Sequence, residues 1–241
     1  MASPGQDEPR NDRGGHPHPV TSRSVEHRLL RGLADEDRRA VLSRMARRSY
    51  RRGETLFHAG DPGDSLHLID KGRVAIRASS RTGDEAILAV LGRGDSFGEQ
   101  ALLSPTATRT ASAVALESVE TRVLLRTDFT ELRREQPSVE RFLVEVLAAQ
   151  VRRLSDQLME ALYLPVEARV VRRLADLAPV YASGESSVEV PLRQEELASL
   201  AGTTRSTTNR VLQQLVDDNV VALARGRIVI LDAASLADRA R

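Results

Sequence analysis

The sequence predicts an α+β chain: a small antiparallel β-barrel of the jelly-roll kind, then one long helix, then a winged helix-turn-helix. Three observations carry this. From Arg51 to Leu125 apolar and polar residues alternate between Gly-containing turns, at the roughly 8–12-residue spacing of short strands that close on themselves. From Ser138 to about Leu164 an apolar stripe runs at helical spacing without a breaker. Between Arg193 and Leu212 two short helical patterns flank Gly202, the layout of a helix-turn-helix. The expected units are a tail over 1–24, a barrel with flanking helices over 25–137, the long helix over 138–164 and the winged unit over 165–241.

Residues 1–24 are rich in Pro, Gly, His, Asp and Arg with one large aliphatic side chain. They bury too little surface to offset ordering entropy and are expected to be disordered. His16 and His18 lack carboxylate or cysteine neighbours and read as solvated, so no metal site is expected. Leu29, Leu30, Leu33, Ala40, Val41, Leu42 and Met45 are spaced as short helices, with Asp35 a candidate cap. In the barrel, Thr55 to Phe57 precedes the turn Ala59 to Asp64, and Leu66 to Ile69 leads to the turn Lys71-Gly72. Two strands flank Thr82-Gly83-Asp84, and Val119 to Leu125 closes the barrel. His58 and His67 sit among strands, where surface or core histidines are the ordinary case.

Thr127 to Glu135 reads as a short helix capped at Thr127 or Asp128 and broken at Gln136-Pro137. Ser138 then caps the long helix. Leu147, Leu154 and Ala161 recur every seven residues, and Leu143, Val146, Val151, Leu158 and Leu162 widen the seam. Two coverings fit it: the barrel on one side and the same helix of a second copy on the other, or the chain's own barrel alone. Pro165 marks a hinge, after which Val166 to about Val180 is helical, Ala182 to Ser187 is a loop and Val188 to Val190 is a strand. Beyond the helix pair, Val220 to Leu223 and Ile228 to Leu231 form a hairpin wing through Arg225-Gly226-Arg227.

Composition excludes several function classes. Net charge is +1 over 241 residues, so a nucleic-acid site must be a local patch. The absence of cysteine removes disulfides, thiolate zinc sites and cysteine-ligated iron-sulfur clusters. No apolar run approaches the roughly 20 residues a membrane span needs, and the N-terminus lacks an apolar signal core. A cytoplasmic protein is expected. No nucleophile-base pair, metal cluster or nucleoside-triphosphate loop stands out, so an enzyme is not expected.

The richest stretch runs from Phe97-Gly98-Glu99-Gln100-Ala101-Leu102-Leu103 to Arg109-Thr110-Ala111-Ser112-Ala113. Gly98 admits close backbone approach, Glu99 offers an acceptor pair, and Arg109 a planar donor fork suited to phosphate. Ala101 to Leu103 is expected as a one-turn helix whose amides point at the same anion. A sugar phosphate suits this cradle.

Phe-Gly-Glu-x-Ala-Leu, six residues, then Arg-Thr-Ala-x-Ala-x-Ala resembles the phosphate-binding cassette of the cyclic-nucleotide-binding domain. The turns at Gly60 to Asp64 and Lys71-Gly72 extend the resemblance across the barrel, and the whole chain resembles the cyclic-AMP receptor protein and fumarate-nitrate regulator family. That resemblance implies that Glu99 holds the ribose 2′-hydroxyl, that Arg109 and Thr110 hold the cyclic phosphate, and that Gly98, Gln100 and Ala101 complete the ligand site. It implies that the long helix is the dimer interface and that Gln157 and Leu158 stand where the cyclic-AMP receptor has two hydroxyl residues reading adenine. Their departure leaves the base open between adenine and guanine. Cyclic AMP is the first choice of regulatory ligand and cyclic GMP the second; no catalytic cofactor is implied.

Apolar Leu197, Leu200, Ala201, Val211, Leu212 and Leu215 are expected to lock the helix pair, leaving Arg205, Ser206, Thr208, Asn209 and Arg210 on the free side. Such a face enters a major groove, where Arg reads guanine and Asn reads adenine. The cyclic-AMP receptor's recognition helix reads Arg-Glu-x-x-x-Arg; here Arg205 and Arg210 match the arginines and Ser206 replaces the glutamate, so specificity at that base is expected to be relaxed or different. Thr203, Thr204, Arg225 and Arg227 complete the expected DNA contacts, mainly to phosphate. The expected partners are a second copy of the chain, a palindromic double-stranded operator and, by the resemblance, RNA polymerase; no membrane is expected. The leading reading is a homodimeric transcription regulator under allosteric control of a cyclic nucleotide. The alternatives are a same-fold regulator that is constitutive or senses another ligand, and a nucleotide-binding regulatory subunit that acts on protein.

Overall fold

The computed structural model describes residues 25–79, 85–104, 106–136 and 138–241; the expected tail over 1–24 and the turn at Thr82-Gly83-Asp84 lie outside them. Eight strands build the N-terminal half: β1 Ala46–Tyr50, β2 Thr55–Phe57, β3 Ser65–Lys71, β4 Val74–Ser79, β5 Glu85–Leu91, β6 Ser96–Phe97, β7 Ser112–Ala115 and β8 Val119–Leu125. They form two four-stranded antiparallel sheets, ordered β1-β8-β3-β6 and β2-β7-β4-β5. Consecutive strands often sit in opposite sheets, the wrapping expected of a jelly roll. Gly72 turns β3 into β4 at φ +81°, and a Cβ there would lie 2.4 Å from Ser118 O, so only glycine fits.

Strand β3 breaks the simple alternation because both its faces are covered. Ile69 lies inside the barrel with Val74, Phe97, Ala113 and Val119. Leu66 and Leu68 face outward but are buried against Leu30, Val41, Phe129 and Leu132. Those residues come from a 3-10 turn at Arg28–Leu30 and from helices α1 Asp35–Ser43 and α2 Arg126–Glu135.

The expected caps are corrected. Helix α1 has Ala34 at its N-cap, and Asp35 is already its first residue, alongside Glu36 and Asp37; the three carboxylates favour the positive helix end without capping it. Helix α2 starts directly from β8 at Arg126, with Leu125 at the N-cap, so neither Thr127 nor Asp128 caps it. Arg126 anchors this junction: its backbone N–H donates to Asp64 O, and its guanidinium donates to Gly63 O and Ser104 O. Ser138 is the N-cap position of α3 Val139–Tyr163, but its hydroxyl donates to Asp37 Oδ1 at 2.7 Å instead of capping.

Leu164 is extended and Pro165 opens α4 Val166–Tyr181. There follow β9 Val188–Val190, α5 Gln194–Leu200, α6 Arg205–Asp217, β10 Val221–Ala224, β11 Arg227–Ile230 and α7 Ala233–Arg239. The last three strands pair in the order β10-β11-β9. Helix α7 was not expected from the sequence; Asp232 caps it by accepting from the Ser235 N–H at 2.9 Å.

The two halves share a core. Ala75, Ile87 and Val90 of β4 and β5 cluster with Val170, Leu174, Leu177, Tyr181 and Leu197. Two polar ties reinforce it: the Ile87 N–H donates to Ser199 Oγ at 2.8 Å, and Arg73 Nε donates to Val180 O at 2.9 Å with its guanidinium 4.2 Å over the Tyr181 ring. At the hinge, the buried Glu160 carboxylate of α3 is bracketed by Arg172 (2.8 Å) and Arg173 of α4. No helix among the described residues is long and apolar enough to cross a membrane.

Candidate ligand cavity and DNA-facing helix

A cavity of about 680 Å³ lies where the barrel, α3, α4 and the turn after α5 meet. Gly98, Glu99, Gln100, Ala101, Arg109, Thr110 and Gln157 all line it, so seven of the eight sequence-predicted ligand residues come together. Leu158 does not. It is 58% exposed on the outward face of α3, because one residue along a helix turns a side chain by about 100° away from its neighbour.

The cassette's short helix is a 3-10 turn over Glu99–Leu102 that starts after Gly98, whose φ is +80°. A Cβ at Gly98 would lie 2.6 Å from Arg109 Nη1 and 2.9 Å from Ser65 O, so glycine is required by the packing of the arginine. The expected Ala101–Leu103 amide donors are corrected. The Ala101 N–H donates to Gly98 O and the Leu103 N–H to Gln100 O, so both are used within the turn.

Arg109 is buried, and its donor fork is already engaged. Nη1 donates to Ser65 O (2.8 Å) and Gly98 O (3.3 Å), while Nη2 donates to Ser65 Oγ (2.8 Å) and Asp64 Oδ1 (3.2 Å). The guanidinium stacks 4.0 Å over the Phe57 ring. Burial lowers its pKa from the ordinary arginine value, opposed by the Asp64 carboxylate; an arginine remains cationic throughout. A phosphate at this site therefore competes with Asp64, whose side chain is 67% exposed. Asp64 and Ser65 went unnoticed in the sequence because an aspartate next to Gly63 reads as turn chemistry.

Beneath the arginine, His67 stacks on Phe97 with ring centroids 4.9 Å apart. Burial first, and the Arg109 charge second, push its pKa down to about 3. It is a neutral core residue, as expected of a histidine among strands.

On α3, Val144, Leu147, Val151, Leu154 and Leu158 are exposed, at alternating spacings of three and four residues. This is a heptad spacing with Leu at one alternate position and Val, Val and Leu at the other, and among the described residues it is left exposed.

Helix α6 begins after Thr204, whose Oγ1 accepts from the Thr207 N–H at 3.3 Å. Ser206, Asn209 and the two arginines are exposed, and Thr203 is half-buried. Thr208 is corrected: it is fully buried, its hydroxyl inside the helix pair, because it stands one turn before Leu212 on the packed face. The arginines are not free either. Arg205 pairs with Glu195 at 3.1 Å and Arg210 with Glu167 at 2.6 Å. Arg225 is exposed in the wing, and Arg227 lies 3.7 Å from Glu189.

Residues 47–136 match the family described as the cyclic nucleotide-binding domain, and residues 168–239 match the Crp-like helix-turn-helix domain. The chain is 38% identical over 208 residues to the cyclic AMP receptor protein of Thermus thermophilus, covering 86% of this chain and 94% of that one. It is 30% identical to the CRP-like cAMP-activated global transcriptional regulator of Mycobacterium tuberculosis, covering 88% and 96%. Among solved structures, the c-di-GMP responsive global regulator CLP of Xanthomonas campestris is similar at 26% identity and a TM-score of 0.67, covering 82% of this chain and 99% of that one. A nucleotide-binding barrel joined to a winged helix-turn-helix places this chain in the cyclic-AMP receptor protein and fumarate-nitrate regulator family of bacterial transcription regulators.

Proposed function

We propose that the protein is a homodimeric, DNA-binding transcription regulator controlled by a cyclic nucleotide, with cyclic AMP the leading candidate. The observation that carries this reading is the shared cavity: Glu99, Arg109 and Thr110 lie on one side of it and the turn of the helix-turn-helix, Leu200 to Gly202, on the other. Ligand in the cradle is then in a position to favour one arrangement of the two halves over another, by as much as its affinities for the two arrangements differ. The uncovered α3 seam supports a parallel two-fold pairing through that helix, with units 25–137, 138–164 and 165–241 as input, coupling and output. Thr203, Thr204, Arg205, Ser206, Asn209, Arg210, Arg225 and Arg227 are the proposed DNA contacts, on a palindromic operator with half-sites about one helical turn, roughly 34 Å, apart. The similarity to the cyclic AMP receptor protein of Thermus thermophilus and to the cAMP-activated regulator of Mycobacterium tuberculosis supports cyclic AMP. A second reading, another ligand in the same cavity, draws support from the similarity to the c-di-GMP responsive regulator of Xanthomonas campestris.

Calorimetry tests the input. Cyclic AMP, or cyclic GMP, is expected to bind the wild type and to lose at least tenfold in affinity to Arg109→Ala, the loss of a charge-assisted hydrogen bond being worth about 1.5–3 kcal/mol. No heat with either nucleotide contradicts the proposal.

A further inference from the structure

We infer that Arg169 of α4 contacts the ligand, its guanidinium donating to the N7 edge of the purine; this rests on the reading of the cavity as a cyclic-nucleotide site. With ribose and phosphate fixed at Glu99, Arg109 and Thr110, the base extends into the rest of the cavity, which Gln157, Arg169 and Gly202 help to bound. The other wall arginines are engaged within the protein: Arg109 with Asp64 and Ser65, Arg153 with Gln150, Arg173 with Glu160 and Asp176. Among the described residues Arg169 has no ion pair, and its Nε is buried without a hydrogen-bond partner. The side chain is only half-buried, and Nη1 lies 3.7 Å from where a Cβ of Gly202 would stand.

The buried Nε–H of Arg169 has no acceptor within the described residues, so a ligand that supplies one to this guanidinium gains affinity. Both purines offer N7 as an acceptor; guanine adds O6, the pair that arginine takes bidentately in nucleic acids, whereas adenine gives a single bond at N7. The contact also has a mechanical consequence. Arg169 stands one turn past Pro165 on the helix that leads into the helix-turn-helix, so the base touches the DNA-reading half directly and not only through α3.

The test is calorimetry on the full chain with cyclic AMP and with its 7-deaza analogue, in which a C–H replaces N7. The wild type is expected to bind the analogue about tenfold more weakly, and Arg169→Leu to bind both compounds equally, near the weaker value. Equal binding of the two compounds by the wild type overturns the inference whether or not the variant folds, and so does an undiminished ratio in a folded Arg169→Leu, with folding checked by thermal melting. Failure of the wild type to bind either compound refutes the nucleotide reading itself and the inference with it.

Discussion

Arg109 holds together residues that the sequence keeps far apart: the Asp64-Ser65 turn, Gly98 and the ring of Phe57. The side chain proposed to take the phosphate therefore also braces the barrel, with Asp64 as its carboxylate partner. The residue types at Glu99, Arg109 and Thr110 were legible because three chemistries recur at one spacing. The bracing was not, because a carboxylate pairing across the barrel leaves no local pattern. His67 beside it gives a pH dependence. Its folded pKa is depressed to about 3 by burial and by Arg109, so between there and the unfolded value near 6.5 the unfolded chain binds the extra proton. Stability is thus full above about pH 6.5 and falls as the pH drops toward 3, by about 2 kcal/mol from His67 alone between pH 7 and 5. Denaturant titrations at the two pH values check this, and a His67→Phe variant is expected to show a flatter profile. His27, also buried with a lowered pKa, leaves a residual slope of the same sign.

At the scale of elements, periodicity revealed the strands, the long helix and the helix pair, because each buries one face. Where two faces are buried or a boundary depends on distant partners, it failed. Thr208 reads as a polar residue on the free side of α6 yet is packed inside, and the start of α2 is set by Arg126 reaching Gly63 and Ser104 and not by a local cap. Helix α7 had a signal in Asp232 followed three residues later by Ser235 that the wing overshadowed. On the α3 stripe, Ala161 and the partly exposed Leu154 touch the cavity edge, while Val144, Val151 and Leu158 are outward, the side on which the proposal seats a second copy. Val151, at 61% exposure, takes no part in the cavity. Val151→Asp is expected to convert the proposed dimer to a monomer in sedimentation velocity while leaving the helix content of the chain unchanged by circular dichroism. A Val151→Asp protein that remains dimeric contradicts the seam.

Across the whole molecule, the winged half sits against β4 and β5 through a continuous apolar core, the Ser199 bond to Ile87 and the Arg73 contacts. The recognition arginines are held by Glu195 and Glu167. In the proposed DNA complex they would exchange these exposed ion pairs, each worth little, for bidentate contacts worth about 1–3 kcal/mol, so the pairs would set only a low threshold. In the proposed switch, a nucleotide in the Arg109 cavity controls the α6 face. The direct measurement is the affinity for a two-fold symmetric site, selected from random DNA, at one fixed salt concentration with and without saturating cyclic AMP. The expected change is at least fivefold in the wild type, the lower end of typical allosteric coupling, and absent in Arg109→Ala. The same affinity with and without ligand in the wild type would contradict it.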